Sequence, residues 1–262
     1  MVTRNVETAA IGCPRSEAPP GVARGAAFSS TVNLSDRLEH CRSLDHFRIG
    51  KEALVSKGTR QLLMNKDPAS PSAVAALEDD PFYRSICAPY DADTARRRAV
   101  LAEYFVYSIQ EGRELGRCIH LADEALGVAV WLLPQPPEVE SHAAERKRTF
   151  LQAALSAEGC ANYCRIIEFM SAKSATLVDD AAWYLSIVAV DPTAQGQGLG
   201  RKLLEPTIEE ADRAGVTCYL ETFSQRNLPF YQRLGFAAAA RFTEPTTGAG
   251  YTVMVRPPRE RV

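Results

Sequence analysis

The sequence lacks the residue spacings that identify metal-binding and disulfide-rich proteins. Its 262 residues include seven cysteines and only four histidines, and no two cysteines are spaced as CxxC. Cys160 and Cys164 are four residues apart, which would place them on one face of a helix and not across a disulfide. No histidine cluster completes a metal site with them. We therefore expect buried, reduced thiols, no bound metal and a cytoplasmic location.

The chain also has little excess charge of one sign and no long apolar run. Its net charge is −2 and its pI is about 6.1, so it has neither a basic field for nucleic acid nor an acidic tail. No apolar run approaches the roughly 20 residues of a membrane span, and no apolar signal segment begins the chain. We expect a monomer or homodimer with no nucleic-acid partner and no membrane partner.

The most informative stretch is residues 183–204, WYLSIVAVDPTAQGQGLGRKLL. The apolar, β-branched run at 184–190 is typical of a buried strand, and the Asp-Pro pair at 191–192 ends it. Glycines then alternate with other residues over 196–200, and leucines at helical spacing follow directly. Bare backbone amides and the positive end of a helix dipole would face one point, an arrangement that binds phosphate.

The glycines fall as GxGxG, so this turn is neither a P-loop nor the GxGxxG dinucleotide fingerprint. The run QGQGLG at 195–200 resembles the [RQ]-x-x-G-x-[GA] signature of the GNAT acetyltransferases, which bind the pyrophosphate of acetyl-CoA there. A second stretch, LET at 220–222 with RNLPFYQRLGF at 226–236, resembles the second GNAT signature, and most closely that of puromycin N-acetyltransferases and their relatives. The resemblance extends over 59–257 and is tight over 183–236.

The resemblance implies an α/β (α+β) fold, in which a mixed, mostly antiparallel twisted sheet of six to seven strands has helices on both faces. Residues 59–258 would form this domain, with a helical excursion at 138–180. The preceding extension, 1–58, is expected to be partly disordered with one helix at 33–49. The strand at 125–133 is nearly all apolar, so we expect it to be central. Predicted strands are 59–64, 117–121, 125–133, 184–190, 218–222, 237–242 and 251–256; predicted helices are 72–78, 93–110, 142–155, 161–172, 198–214 and 227–236.

Two catalytic residues are expected, Tyr231 from the same resemblance and Glu221 from its place at the end of a buried strand. Tyr231 would be the general acid that protonates the leaving coenzyme A thiolate. Glu221 would be the base, directly or through a water, because burial at the end of a strand raises a carboxyl pKa toward neutrality. His120, on a predicted strand, is an alternative base, although a packed core histidine is favoured. No Ser-His-Asp or Cys-His signature is recognisable, which fits direct attack by the amine without an enzyme nucleophile.

The binding residues follow from the two signatures and from the expected acceptor pocket. Acetyl-CoA would be the co-substrate, and the positions that bind it would be Ile187, Val188, Ala189, Val190, Gln195, Gly196, Gln197, Gly198, Leu199, Gly200, Arg201, Asn227 and Tyr231. By resemblance, the first two helices line the acceptor pocket, so Phe82, Tyr83 and Tyr90 are candidates there together with Glu221. Ordinary packing in the core is an equally good interpretation of the three aromatic residues.

We therefore expect an acetyl-CoA-dependent N-acetyltransferase. It would transfer the acetyl group to a primary amine of a small molecule, such as an antibiotic or a metabolite, within a ternary complex. A protein or peptide N-acetyltransferase is one alternative, and a non-catalytic acyl-CoA-binding module is another. The intact glycine turn together with Tyr231 argues against the non-catalytic module.

Overall fold

A six-stranded sheet organises the protein, for which a computed structural model describes residues 67–259. The predicted extension at 1–58, with its helix, and the predicted strand at 59–64 lie outside the described residues. The strands are β1 (Gly116–His120), β2 (Gly127–Leu132), β3 (Trp183–Val190), β4 (Cys218–Thr222), β5 (Ala237–Thr243) and β6 (Gly250–Arg256). The helices are α1 (Ser70–Leu77), α2 (Pro81–Ile86), α3 (Thr94–Leu115), α4 (Pro137–Ala154), α5 (Ala157–Ser174), α6 (Leu199–Ala214) and α7 (Leu228–Arg233).

The strands lie in the order β1-β2-β3-β4-β6-β5, and every neighbouring pair is antiparallel except β3 and β4. A parallel pair needs a crossover connection, which α6 provides here. Val130 and Trp131 are neighbours on β2 and point to opposite faces of the sheet. Val130 packs in a hydrophobic cluster with α1 to α5, and Trp131 packs in a second cluster with α6 and α7. Helices therefore cover both faces, and the expected mixed, mostly antiparallel α/β fold is confirmed.

The predicted helix at 93–110 continues five residues further, to Leu115. Packing explains the extension, because Glu111 pairs with Lys147 of α4, with 2.8 Å between Oε2 and Nζ. Gly112, a poor helix former, lies so close to β2 that a Cβ there would be 2.5 Å from Cγ1 of Val130. None of the helices within residues 67–259 combines the length and apolar character needed to cross a bilayer.

The described cysteines carry free thiols, and they differ in burial. Cys87 and Cys218 are fully buried, whereas Cys118, Cys160 and Cys164 are half-buried. Burial raises the pKa of Cys160 to about 11, and its Sγ donates to the carbonyl of Leu151 at 3.1 Å. The expectation that all thiols are buried is therefore wrong for three of these five residues.

An apolar run predicts burial correctly for β2 and only in part for β3. All six residues of β2 are buried, as its apolar sequence predicts. Strand β3 instead alternates between buried and half-exposed residues, so its run of apolar side chains does not make it a fully buried strand. The half-exposed positions include Ser186 and Val188, which face a cleft described below.

A β-bulge changes the faces of β3 at its middle. Val130 of β2 is opposite Ile187, but the next residue, Trp131, is opposite Leu185, so Ser186 is the extra residue. As a result Leu185 packs in the cluster under α6, while Ile187 packs in the cluster on the other face. The bulge also increases the local twist, and β3 separates from β4 at this point.

Candidate active site

A cleft opens where β3 and β4 separate. The ladder between these two parallel strands ends at Leu185 and Leu220. Beyond that pair the strands diverge, and helices α1, α2, α3, α5 and α7 help to close the space between them. The cleft has a volume of about 820 Å³ including its open mouth. Its aromatic and polar lining residues are Asp80, Phe82, Tyr83, Tyr104, Tyr184, Ser186, Glu221, Thr222, Phe223, Asn227 and Tyr231.

The backbone of β3 over 187–190 presents one edge to this opening. Its other edge is paired with β2, where Ile187 is opposite Val130 and Val190 is opposite Gly127. Within the described chain, β4 pairs with β3 only over 183–185, so the edge at 187–190 keeps backbone groups available to an extended ligand. The expected binding residues Ile187 and Val188 line the cleft, whereas Ala189 and Val190 continue the same edge beyond it.

The glycine turn connects this edge of β3 to helix α6. Gly196 and Gly198 have φ values of 78° and 76°, a region that favours glycine, and a Cβ at either position would meet no atom within 4 Å. Gly198 is the N-cap of α6 and offers no side chain to the first-turn amides. Gln195 instead donates from Nε2 to the carbonyl of Val190 at 3.1 Å and thereby closes the turn. The turn thus leaves the amide end of α6 open toward solvent.

Tyr231 of α7 lies at the wall of the cleft with only 6% of its surface exposed. Its ring packs against Phe230 and Phe236, with centroid distances of 5.1 and 6.2 Å. Burial, with a smaller contribution from the charge of Asp80, raises the pKa of the Tyr231 hydroxyl. The hydroxyl therefore stays protonated near neutral pH and can donate to an anion that forms in the cleft.

Glu221 of β4 lies in the same cleft, where two hydroxyl groups hold its carboxylate. Ser174, the last residue of α5, donates its hydroxyl to Oε1. Tyr184 of β3 donates to Oε2 at 3.3 Å, and its ring stacks on Tyr219 at 4.8 Å. Strands β3 and β4 and helix α5 together fix the direction of this carboxylate. The described arrangement thus combines a protonated phenol, a carboxylate, an open strand edge and an open helix terminus.

Comparison with known proteins matches the segment that carries most of this arrangement. The acetyltransferase (GNAT) domain family matches residues 151–238, a segment that includes β3, the glycine turn, β4 and α7. The chain therefore contains a GNAT acetyltransferase domain, matched over residues 151–238. An uncharacterised N-acetyltransferase of Schizosaccharomyces pombe is 27% identical over 199 residues, which cover 72% of this chain and 78% of that protein.

Two further comparisons cover different parts of the acetyltransferase. The [ribosomal protein bS18]-alanine N-acetyltransferase of Escherichia coli is 45% identical over 65 residues, which cover 23% of this chain and 44% of that enzyme. A solved structure from Corynebacterium glutamicum, described as histone acetyltransferase HPA2 and related acetyltransferase, has 26% sequence identity and a TM-score of 0.48. It covers 74% of this chain and 91% of its own. The specific likeness to puromycin N-acetyltransferases stays a prediction.

The acetyltransferase brings most, but not all, of the candidate acceptor residues to the cleft. Phe82 and Tyr83 line it, and their rings meet edge to face at 5.1 Å. Tyr90 does not line it, since it lies in a short 3-10 helix with the guanidinium of Arg96 5.8 Å from its ring centroid. Asn227 lines the cleft together with Tyr231, and its side chain makes no capping hydrogen bond at the start of α7.

Asp80 is a second carboxylate of the acetyltransferase cleft and was not among the site residues predicted from the sequence. It is the N-cap of α2 and accepts from the amide of Phe82 at 2.9 Å through Oδ1. Burial raises the pKa of Asp80 to about 6, although that hydrogen bond lowers it. The sequence does contain a signal for the start of a helix here, because Asp followed by Pro81 is typical of a helix N-terminus. Its place in the cleft depends on how α2 packs and could not be read from that signal.

His120, the alternative base, lies elsewhere in the acetyltransferase. On β1, its Nε2 is 3.4 Å from Oδ1 of Asp67 and its Nδ1 is 3.7 Å from Sγ of Cys118. The hydrogen bond with Asp67, followed by that with Cys118, raises the pKa of His120 to about 9. A protonated imidazole outside the cleft cannot take a proton from the acceptor, so the alternative assignment is wrong and His120 has a structural role.

Proposed function

We propose that this acetyltransferase moves the acetyl group of acetyl-CoA to a primary amine of a small molecule, by direct attack in a ternary complex. The cleft at the separation of β3 and β4 carries the proposal, because Tyr231 and Glu221 both line it. GNAT enzymes use acetyl-CoA as their co-substrate and act on amines, and the open strand edge and glycine turn fit such a substrate. No residue of the chain is needed as a nucleophile.

The proposed binding mode for acetyl-CoA uses backbone groups more than side chains. The edge of β3 at 187–190 would pair with the amides of the pantetheine arm and polarise the thioester carbonyl. The turn at 195–201 would hold the pyrophosphate, since its amides and the positive end of α6 favour an anion. Asn227, at the other wall of the cleft, would hold the end of the pantetheine arm.

Glu221 and Tyr231 would carry the proton transfers of the proposed reaction. Glu221 would take a proton from the acceptor ammonium, directly or through a water, so that the neutral nitrogen attacks the thioester carbonyl. As the carbon–sulfur bond breaks, Tyr231 would give its proton to the leaving thiolate. The nitrogen loses its second proton as the amide forms, and this proton restores the Tyr231 hydroxyl. The products are an N-acetyl amine, free coenzyme A and one net proton, released by way of Glu221.

A protein or peptide amine is the second candidate for the acceptor. The relative in E. coli is named for the alanine of ribosomal protein bS18, so a protein acceptor is compatible with this signature region. The walls of the cleft favour a small acceptor instead, because the rings of Phe82, Tyr83 and Tyr104 lie side by side within it. Such a wall suits a compact apolar body more than an extended peptide backbone.

Release of free thiol from acetyl-CoA tests the proposal. The purified full chain is mixed with acetyl-CoA and a panel of small amines and peptides, and calorimetry measures acetyl-CoA binding in parallel. We expect binding of acetyl-CoA and thiol release well above background with at least one small amine. A chain that does not bind acetyl-CoA would contradict the proposal. Release with peptides alone would favour the second candidate.

A further inference from the structure

We infer that the acceptor is a primary amine with an apolar or aromatic body and no acidic group, and that Asp80 determines this specificity. The inference rests on the proposed function and names the acceptor class for the same cleft. It concerns discrimination between two kinds of amine, those that are cationic overall and those that carry a carboxylate or phosphate beside the amine. Asp80 itself neither takes nor gives a proton in the reaction described above.

The charged side chains of the cleft are of one sign. Asp80 enters from the N-terminus of α2 and Glu221 from β4, so the two carboxylates belong to separate walls. Among the residues described, no lysine, arginine or histidine lines this cleft. An ammonium group entering it meets two carboxylates, and an acidic group entering it meets the same two without a cation to compensate. In a partly dehydrated site, like charges repel far more strongly than they do in water.

One carboxylate oxygen of Asp80 is available to accept a hydrogen bond from an ammonium group. Oδ1 accepts the amide of Phe82, whereas Oδ2 has no hydrogen-bond partner within residues 67–259. The carboxyl group is half-buried, and burial disfavours its charged form unless a cation is near. An ammonium group of the acceptor is such a cation and would stabilise the ionised carboxylate. Binding a cation therefore offsets the free-energy cost of keeping Asp80 ionised, whereas binding an acidic group increases that cost.

Aromatic rings line the same cleft as Asp80 and suit the body of such an amine. Phe82 and Tyr83 follow it in α2, and Tyr104 of α3 contacts both rings, with centroid distances of 6.4 and 5.7 Å. Tyr184 and Phe223 add rings on the side of Glu221. Ring faces attract ammonium groups, and their apolar area favours a hydrocarbon or aromatic body over a sugar or a charged chain.

A pair of acceptors that differ only in an acidic group tests the inference. Phenethylamine and phenylalanine share the same body, and phenylalanine adds a carboxylate beside the amine. Hexylamine and 6-aminohexanoate form a second pair without a ring. We expect kcat/KM for each acid-free amine to exceed that of its acidic partner by about 100-fold, since like charges in such a site cost several kcal/mol.

Asp80→Asn tests the residue without removing the helix cap, because asparagine caps as well as aspartate. We expect kcat/KM for phenethylamine to fall about 10- to 100-fold, as for loss of a charged hydrogen bond. The ratio of kcat/KM for phenethylamine to kcat/KM for phenylalanine should fall by at least 10-fold for the same reason. Asp79→Asn is the matched control, since Asp79 precedes it, is exposed and does not line the cleft. This control should keep both the rate and the preference.

The outcomes separate this inference from the proposed function. Acidic amines used as well as their acid-free partners, or equal effects of the two variants, would overturn the inference and leave the acetyltransferase proposal standing. Acetyl-CoA binding without turnover of either acid-free amine would also overturn it. Failure to bind acetyl-CoA at all would overturn the proposed function, and the inference with it.

Discussion

At the scale of single residues, the proposed mechanism depends on a buried phenol. The Tyr231 ring packs against Phe230 and Phe236, so Tyr231→Phe keeps the packing and removes only the hydroxyl. We predict that this variant loses about 100-fold in kcat, a typical share for a general acid, while its Kd for acetyl-CoA stays within about twofold. Thiol-release kinetics measure the first quantity and calorimetry the second.

A second buried tyrosine provides the control for that experiment. Tyr251 of β6 is fully buried, does not line the cleft, and its hydroxyl has no hydrogen-bond partner among the described residues. Tyr251→Phe therefore removes a buried hydroxyl that does not line the cleft, and kcat should fall far less than in Tyr231→Phe. An unchanged kcat in Tyr231→Phe, or an equal loss in both variants, would contradict the assignment of Tyr231 as the acid.

The contacts of His120 predict how the stability of the fold depends on pH. Its pKa rises from 6.5 to about 9 on folding, because the protonated ring is held by Asp67 and then by Cys118. The folded state therefore binds the proton more tightly, and the resulting stability is fully present below pH 6.5 and lost as pH rises through about 9. Urea unfolding should show this loss in the native protein and not in His120→Gln. An identical pH dependence in both would contradict the structural role.

Residues of the site differ in how far their sequence context predicts them. Tyr231 and the glycines belong to contiguous motifs, so the local sequence nearly suffices to predict where they lie. Asp80 and Ser174 lie far from those motifs in sequence and reach the cleft only through the packing of α2 and α5. A single sequence contains no local signal for such contacts. For the same reason Tyr90 could not be separated from Tyr83 before the structure was known.

At the scale of elements, helix α6 offers a matched comparison between its two ends. Gly198 at its start and Gly215 at its end both have positive φ values, 76° and 67°, and a Cβ at either would meet no atom within 4 Å. Alanine at either position should therefore cost roughly 1–2 kcal/mol of unfolding free energy through backbone strain alone. Only Gly198→Ala alters the turn proposed to hold the pyrophosphate.

We therefore predict that Gly198→Ala raises the Kd for acetyl-CoA about 10-fold, which corresponds to about 1.4 kcal/mol of binding free energy. Gly215→Ala should leave that Kd unchanged at a similar loss of stability. Calorimetry and urea unfolding on both variants give the two quantities. Equal effects on Kd would show that the change reflects general destabilisation and not the turn.

The sequence predicts the individual strands more reliably than the way in which they pair with one another. Every strand predicted within 67–259 is present, because alternating or continuous apolar runs bounded by turn residues are local signals. The bulge at Ser186 was not predicted, since the run Leu185, Ser186, Ile187 reads equally well as regular strand. That bulge depends on pairing with β2 and lies where the ladder between β3 and β4 ends. The motif residues were visible in sequence, and the cleft between them was not.

At the scale of the whole molecule, Arg256 at the end of β6 joins the sheet to the helices on one face. Its side chain is 2% exposed, and its two terminal nitrogens donate to the carboxylate oxygens of Asp212 in α6, both at 2.7 Å. Its Nε donates to the carbonyl of Leu234, directly after α7, at 2.9 Å. One guanidinium thus connects α6, α7 and β6, which are distant in sequence, and fixes α7 with its Tyr231 against the sheet.

The ion pair should respond asymmetrically to loss of either partner. Asp212→Ala leaves a buried guanidinium without its counter-ion, whereas Arg256→Met leaves a carboxylate that is 21% exposed and can be rehydrated. We predict losses of about 3 kcal/mol of unfolding free energy for Asp212→Ala and about 2 kcal/mol for Arg256→Met. The double variant should be more stable than Asp212→Ala alone, because it removes the uncompensated charge.

Urea unfolding at pH 7 measures these differences, with an exposed ion pair as the control. Arg201 and Glu205 pair on the surface of the same helix with side chains 68% and 39% exposed, so Glu205→Ala should change the unfolding free energy by at most about 0.5 kcal/mol. Equal losses for Asp212→Ala and Glu205→Ala would mean that burial contributes little to this pair. A double variant less stable than Asp212→Ala would mean that the Arg256 hydrogen bond to Leu234 outweighs its unpaired charge.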